Sequence, residues 1–437
     1  MLTNKDVKGA VLAGLSILLA GGAQAQGLGN SPYSRLGLGE FSGNVGGVRQ
    51  MGMGGVGLAA PNAVNVNELN PALLYYTGRT TFEAGYTGQY KTISNATSSN
   101  RSGSGNLGYL ALAVPLSSKW AAAVGLKPLS TVDYESNVEQ LVDGAPDGTK
   151  SQKQYLGTGS LSEAYLAQGY HITKFLSLGF TASYVFGTVD ETTGTTVKPA
   201  GGLASNKIVE RDHTKYSDFA FRAAAHYRQK LNSKLNLNVA GVYSFASDLS
   251  GLRTSNQERQ DANGAILSST GIVDAKGVSK LPTMVQGGLS LDNGKNWSIS
   301  ADVAQQQWSK FSNFGVVGTP LNDTWRVGLG GELTPDPGSV EHYFQRVSYR
   351  VGVSAQQLPY RPGNQVLYDR AVSWGFAFPL PTATPMDATT LSLAFTYGVR
   401  GNQDVLGNGN SNVRENYIKG QFGVTLNNRW FVKRRLQ

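Results

Sequence analysis

The chain has no cysteine among its 437 residues, which removes both a disulfide framework and a lipid anchor of the kind attached to cysteine behind a leader. It is also short of charge: 15% of residues are charged, against roughly 25% in soluble domains. Long apolar runs are missing too, since nothing approaches the ~20 consecutive apolar residues of a transmembrane helix. No stretch reads as a linker between two cores, so one large closed unit fits the length better than two globular domains. Histidine is scarce: His171, His213, His226 and His342 fall on different expected elements without metal-type spacing, so no metal site is expected.

What is present begins with an export signal. Lys5 and Lys8 give a positive start, residues 10–20 form a short apolar run, and Ala23-Gln24-Ala25 is a small-x-small cleavage site before Gln26. The run is too short to span a bilayer, so residues 1–25 read as a cleavable signal peptide.

Behind the leader, segments of about ten residues recur in which every second side chain is apolar, as in Phe180, Ala182, Tyr184 and Phe186. Strand cores are expected near 79–91, 106–116, 120–134, 159–171, 175–188, 215–228, 234–246, 281–291, 296–309, 323–334, 345–356, 367–380, 389–400 and 416–427. The count of fourteen is even, as in single-chain bacterial barrels. Low charge without long apolar runs is what alternating strands with one lipid face produce. Gly, at 55 residues, is heavily used.

Connector lengths add an independent signal, because bacterial barrels have short periplasmic turns and longer external loops. Polar loops around 92–105, 135–158, 189–214 and 247–280 alternate with tight turns at Ser117-Ser118-Lys119, Thr173-Lys174, Leu231-Asn232-Ser233 and Asp292-Asn293-Gly294. A soluble sandwich, propeller or jelly roll would also alternate. Here, however, Trp120, Trp297, Trp325, Tyr90, Tyr227 and Tyr243 sit at the ends of apolar faces, as an aromatic girdle requires. Arg222, His226, Gln305, Arg326 and Arg350 are assigned to the opposite, polar faces. The expected fold is an all-β antiparallel transmembrane barrel in the outer membrane. The formal net charge of +9 is scattered rather than clustered with aromatics, so no nucleic acid is expected as a partner.

Residues 26–78 precede the first strand and exceed what a barrel needs to begin. They hold Ser31-Pro32-Tyr33-Ser34-Arg35, a Gly-rich stretch from Gly46 to Gly57 that includes Gly52, Gly54 and Gly55, and Asn67-Glu68-Leu69-Asn70-Pro71-Ala72. With Asn70-Pro71-Ala72 ahead of the first strand, the glycines upstream and fourteen strands behind, the chain resembles the FadL-type superfamily of outer-membrane transporters for long-chain fatty acids and other hydrophobic compounds, particularly its relatives in Bacteroidota. The resemblance covers the mature chain in architecture and its first fifty residues in motif.

The resemblance implies that residues 26–78 are a hatch plugging the lumen, with Asn70, Pro71 and Ala72 as the hatch motif and Gly52, Gly54 and Gly55 as hatch glycines. It also implies a lateral exit for apolar cargo where the third strand is interrupted. That strand contains Gly125 and Pro128, and Pro removes a ladder donor while Gly weakens a strand. Residues 79–427 are then the barrel, and 428–437 a basic periplasmic tail in which Lys433-Arg434-Arg435 follow Trp430 and Phe431.

Catalysis finds no local support. Gly52-Met53-Gly54-Gly55-Val56-Gly57 has the spacing of a dinucleotide fingerprint, but no βαβ unit surrounds it, and no Ser or His motif of a hydrolase is present. No enzyme activity and no cofactor are expected. Two functions remain: passive uptake of hydrophobic small molecules, and an accessory or shuttle barrel that binds protein partners, like those serving type IX secretion. An apolar pocket against the hatch favours the first; a broad exposed patch on the long loops favours the second.

Overall fold

The computed structural model describes residues 31–35, 37–41, 46–146, 148–199, 201–202, 205–261, 263–315, 321–381, 388–405 and 411–428. The expected leader at 1–25, and Trp430, Phe431 and Lys433-Arg434-Arg435 of the expected tail, lie outside the described residues.

Fourteen strands make the wall. They are β1 (Thr80–Ser94), β2 (Ser99–Pro115), β3 (Trp120–Leu141), β4 (Lys150–His171), β5 (Leu176–Lys198), β6 (Lys207–Asn232) and β7 (Leu235–Ser244), followed by β8 (Met284–Asp292), β9 (Trp297–Gln306), β10 (Thr324–Leu333), β11 (Ser348–Gln357), β12 (Tyr368–Leu380), β13 (Ala388–Gly401) and β14 (Arg414–Asn428). Each pairs antiparallel with the next, and β14 returns to β1 in a register running from Arg414↔Ser94 to Asn428↔Thr80. The sheet therefore closes on itself as a fourteen-stranded barrel, the fold expected from the alternation.

The alternation has a direct physical outcome. On β5, Phe180, Tyr184 and Phe186 are exposed on the outer face, while Thr181, Ser183 and Val185 are buried on the inner one. Cross-strand pairs such as Phe180–Phe221 and Trp374–Phe395 knit the outer surface. Trp120, Tyr90, Tyr227, Tyr243 and Trp325 are exposed on that surface as well. Inward polar residues include His226 and Arg350, both buried. Gln305 does not join them: it continues the outward row of Ile299, Ala301 and Val303 and is exposed, because a strict period of two carries it to the outer face at the end of β9. Its strand-end position lets the amide stay hydrated.

Loop expectations near one rim also need correction. β3 to β6 are 22, 22, 23 and 26 residues long, far beyond the roughly 9–11 that cross a bilayer. Residues around 135–158 and 189–214 are largely upward continuations of these strands, and 247–280 holds strands Ser247–Gln260, Ile266–Ser269 and Val273–Leu281, the first and last of which extend β7 and β8. In these extensions the outer face is largely polar, so the alternation fades and the segment reads as loop, although inward residues such as Val189, Val209 and Leu249 are buried.

Candidate functional site in the lumen

Residues 46–78 lie within the ring of strands, touching its inner face on nearly every side. Local sequence explains their path. The Asn70 carboxamide accepts from the Ala72 amide at 2.9 Å and donates to the Leu58 carbonyl at 2.8 Å, while Pro71 opens the 3₁₀ turn Pro71–Tyr76 with the φ that turn needs. Asn67 does the same one turn earlier, accepting from Leu69 and Asn70 and donating to the Gly57 carbonyl. Asn70, Pro71 and Ala72 are buried, and they sit on two wall glycines: a Cβ at Gly179 would fall 2.2 Å from the Ala72 nitrogen, and one at Gly169 2.4 Å from the Pro71 oxygen.

The glycine-rich stretch docks on the other wall. Gly52 ends a short helix, α1 (Val48–Gly52), and packs against Gly375 of β12. Gly54 adopts φ +78°, the left-handed region that favours glycine, and lets the chain turn where Met53 presses on β10 and β11. A Cβ at Gly330 or Gly352 would lie 2.1 Å from Met53 backbone atoms. Replacing Gly352 with Val is therefore expected to displace this turn at a cost of about 1–3 kcal/mol or more. Thermal unfolding followed by heat-modifiable gel mobility checks it, with Gly420→Ala, where the nearest atoms are 3.7 Å away, as the neutral control.

Charge fixes the segment further. Glu332 of β10 pairs with Arg49 at 3.2 Å and with Arg350 at 2.6 Å, and both arginine side chains are 2% exposed. Asp302 accepts from the Gly57 and Leu58 amides at 2.8 and 2.9 Å, and Arg326 donates to the Gly54 and Gly55 carbonyls. Asn65 donates to Glu83, which also accepts from Thr425 and Tyr109. On β3, Lys127 bridges Glu68 of the segment and Glu163 of β4 at 3.3 and 3.2 Å. Most of these charged and polar groups find partners in one another across the lumen, which offsets the cost of burying them; Asp302 Oδ1 and Arg350 Nη1 are left without a hydrogen bond.

Lys127 neighbours the place where the wall changes. The β2–β3 ladder runs only from Pro115↔Ala121 to Leu110↔Leu126, although both strands continue beyond it. Gly125 lies at its last rungs. A Cβ there would meet the Tyr165 ring and the Leu110 carbonyl at 2.5 Å. Pro128 follows, and the β3–β4 register slips between Pro128 and Ser130. Beyond this bulge β3 takes a different neighbour: the short strand Glu40–Phe41 pairs with it as Glu40↔Thr131 and Phe41↔Ser130.

That short strand is held from across the lumen. Arg400 of β13 pairs with Glu40 at 2.7 Å, Asp369 at 3.2 Å and Glu415 at 3.5 Å, and Lys419 approaches Glu40 at 3.8 Å. Burial alone would push the Glu40 carboxyl up, but Arg400, then Lys419 and Lys91, outweigh it and hold it well below the usual carboxylate range. Ser31 donates to Glu415, Tyr33 to the Val413 carbonyl, and Phe41 packs edge-on against Trp308. Above, two apolar clusters fill the upper lumen, one around Leu38, Val132, Leu161 and Leu249, the other around Tyr33, Trp308, Tyr360 and Leu367.

Between the two closures lies a cavity of about 180 Å³ that reaches Gly108 and Pro128 at the wall. Its lining sets the charged groups Glu40, Glu68, Lys127, Arg326, Asp369 and Arg400 beside the apolar surfaces of Phe41, Met51, Tyr109 and Tyr417. No group of three or more His, Asp or Glu suited to a metal occurs among the described residues.

Residues 7–437 match the family model described as BamG. The chain belongs to the BamG family. No curated protein sequence matches this BamG-family chain. Among solved structures, it is similar to the CymD monoaromatic hydrocarbon channel (17% identity, TM-score 0.55, covering 90% of this chain and 100% of that one). It is similar also to a Pseudomonas aeruginosa FadL homologue (14%, 0.59, 89% and 99%) and to the P. putida toluene transporter TodX (14%, 0.58, 89% and 100%). At such identities the likeness is one of fold, and it agrees with the FadL-type barrel expected from the sequence.

Sequence reading singled out Asn70, Pro71, Ala72, Gly52, Gly54, Gly55, Gly125 and Pro128. The structure gathers the first six in the luminal segment and sets Gly125 and Pro128 at the end of the β2–β3 ladder. It did not single out Arg49, Glu68, Glu332, Glu40 or Arg400. The usable signal was charge on inward strand positions at membrane depth, which needs opposite charge inside the lumen.

Proposed function

We propose that this chain is an outer-membrane channel for passive uptake of hydrophobic, fatty-acid-like small molecules, and that the structure is its shut state. Residues 1–25 are the cleaved signal peptide, 26–78 the hatch, 79–427 the barrel and 428–437 a periplasmic tail. The observation that carries the reading is the short β2–β3 ladder, ending beside Pro128 where the luminal cavity reaches the wall. A molecule entering that cavity has a lateral route into the bilayer without crossing water. Glu40–Phe41 lies across the route on β3, so its release is the opening step.

Absence of cysteine makes this testable. Phe41→Cys with Ser130→Cys places two thiols on register partners, where a disulfide has favourable geometry. Oxidised protein is expected to take up no apolar probe into vesicles, and reduction to restore uptake. Equal uptake in both states would sink the latch.

A second reading rests on the cavity itself. Ligand pockets span about 300–1,000 Å³, whereas this cavity is only about 180 Å³ and is crossed by the ion pairs of Arg400 and Lys127. That favours an accessory barrel that binds protein partners and keeps its lumen permanently filled. Lipid extraction with mass spectrometry on protein purified from membranes separates the two: bound apolar molecules support uptake, and a stoichiometric protein partner without them supports the accessory role.

A further inference from the structure

On the outer face, four neighbouring strands form a shallow apolar groove whose register defines its floor. One row runs Leu329, Val353, Val372 and Tyr397 across β10 to β13, and the row above it runs Val327, Ala355, Arg370 and Val399. Aromatics bound it: Trp325 and Tyr368, 6.0 Å apart, stand above, and Trp374 with Phe395 below. Valine and alanine between tall rings leave a depression of about 1010 Å³.

Arg370 is the anomaly. It points outward and is exposed in a row that otherwise holds only valine and alanine. Among the described residues it has no acidic partner, and its guanidinium lies 5.8 Å from the centre of the Tyr368 ring. A cation on a barrel's lipid face costs up to about 2–4 kcal/mol at mid-membrane and little near the interface. Its guanidinium can reach headgroup depth from this upper row, where an anion meets it with charge-assisted, bidentate geometry.

We propose that this groove binds one phosphorylated lipid of the outer leaflet, with an acyl chain over Val353 and Val372 and a phosphate on Arg370. The site rests on the barrel's belt facing lipid and is independent of what the lumen carries. Asn402 and Tyr368 at the groove's upper edge add donors beside the phosphate position.

The test is native mass spectrometry of full-length protein extracted from outer membranes in mild detergent. Wild type is expected to retain one phosphorylated lipid. Arg370→Gln, which removes the anion partner, and Val353→Trp, which fills the floor, should each lower its occupancy about tenfold or more, the scale of a hydrogen bond to a charged group. Arg414→Gln, an exposed arginine on β14 outside the groove, should leave it unchanged. Heat-modifiable mobility confirms that each variant is folded. The proposal is overturned by a wild type without the lipid, by equal occupancy in all four proteins, or by a second polypeptide crosslinking to this face in place of lipid. Failure of the protein to fractionate with outer membranes would instead overturn the membrane reading itself.

Discussion

Deleting residues 26–78 is expected to convert a sealed barrel into an open pore. A ring of fourteen strands is too wide for wall side chains to fill, so what sits inside decides whether it leaks. The deletion removes α1, the Asn70-Pro71-Ala72 turn and the Glu40–Phe41 strand together, along with the partners of Glu332, Asp302, Glu83 and Lys127. The wall keeps its ladders and its apolar belt, so it should still assemble. Planar-bilayer conductance and cell sensitivity to large antibiotics measure the outcome. Steady, ohmic conductance where the full-length protein shows none supports the hatch. An intact but non-conducting variant would mean that the loops above seal the lumen without it.

Reading the sequence worked wherever lipid sits on one side of a strand. The alternation at Phe180, Ala182, Tyr184 and Phe186 exists because one face meets hydrocarbon and the other does not, and all fourteen strands were found that way. It failed where that asymmetry ends. Residues 135–141 are strand in the structure, yet with both faces open to water their polar sequence is indistinguishable from loop, and in 189–198 only Val189 and Gly194 are buried, too few to mark an alternation. Gln305 failed for a smaller reason: residue polarity outweighed register in its assignment, whereas the backbone follows register alone.

Site residues divide along the same physical line. Asn70, Pro71 and the glycines impose backbone geometry, which leaves a local trace in sequence. Arg49 and Glu332 act as a pair 283 residues apart, and each by itself resembles a solvated side chain. Only the fold brings them together. The wall glycines Gly169, Gly179, Gly330 and Gly352 are intermediate: their inward register was readable, but the backbone that they admit was not.

Replacing Arg400 with Met is expected to have the second large effect, and to have it at a distance. The guanidinium pairs with Glu40, Asp369 and Glu415, whose side chains are 13%, 4% and 0% exposed. Removing one partner of a buried ion pair costs about 3–5 kcal/mol because the remaining charge has no compensation, and here three carboxylates share the loss. Glu40 keeps only the looser attraction of Lys419 at 3.8 Å and of Lys91, whereas Asp369 keeps the Tyr417 hydroxyl at 2.8 Å, so the chain at 31–41 should detach before the wall yields. Arg35, stacked on Tyr155 at 3.6 Å in the intact protein, then becomes accessible to trypsin. Limited proteolysis should show rapid cleavage after Arg35 in Arg400→Met and slow cleavage in the parent, with barrel mobility on gels unchanged. Adding Glu40→Gln to Arg400→Met removes one orphaned charge and should recover part of the protection. Equal cleavage rates in parent and variant would show that Tyr33, Phe41 and Trp308 hold the segment by apolar packing alone.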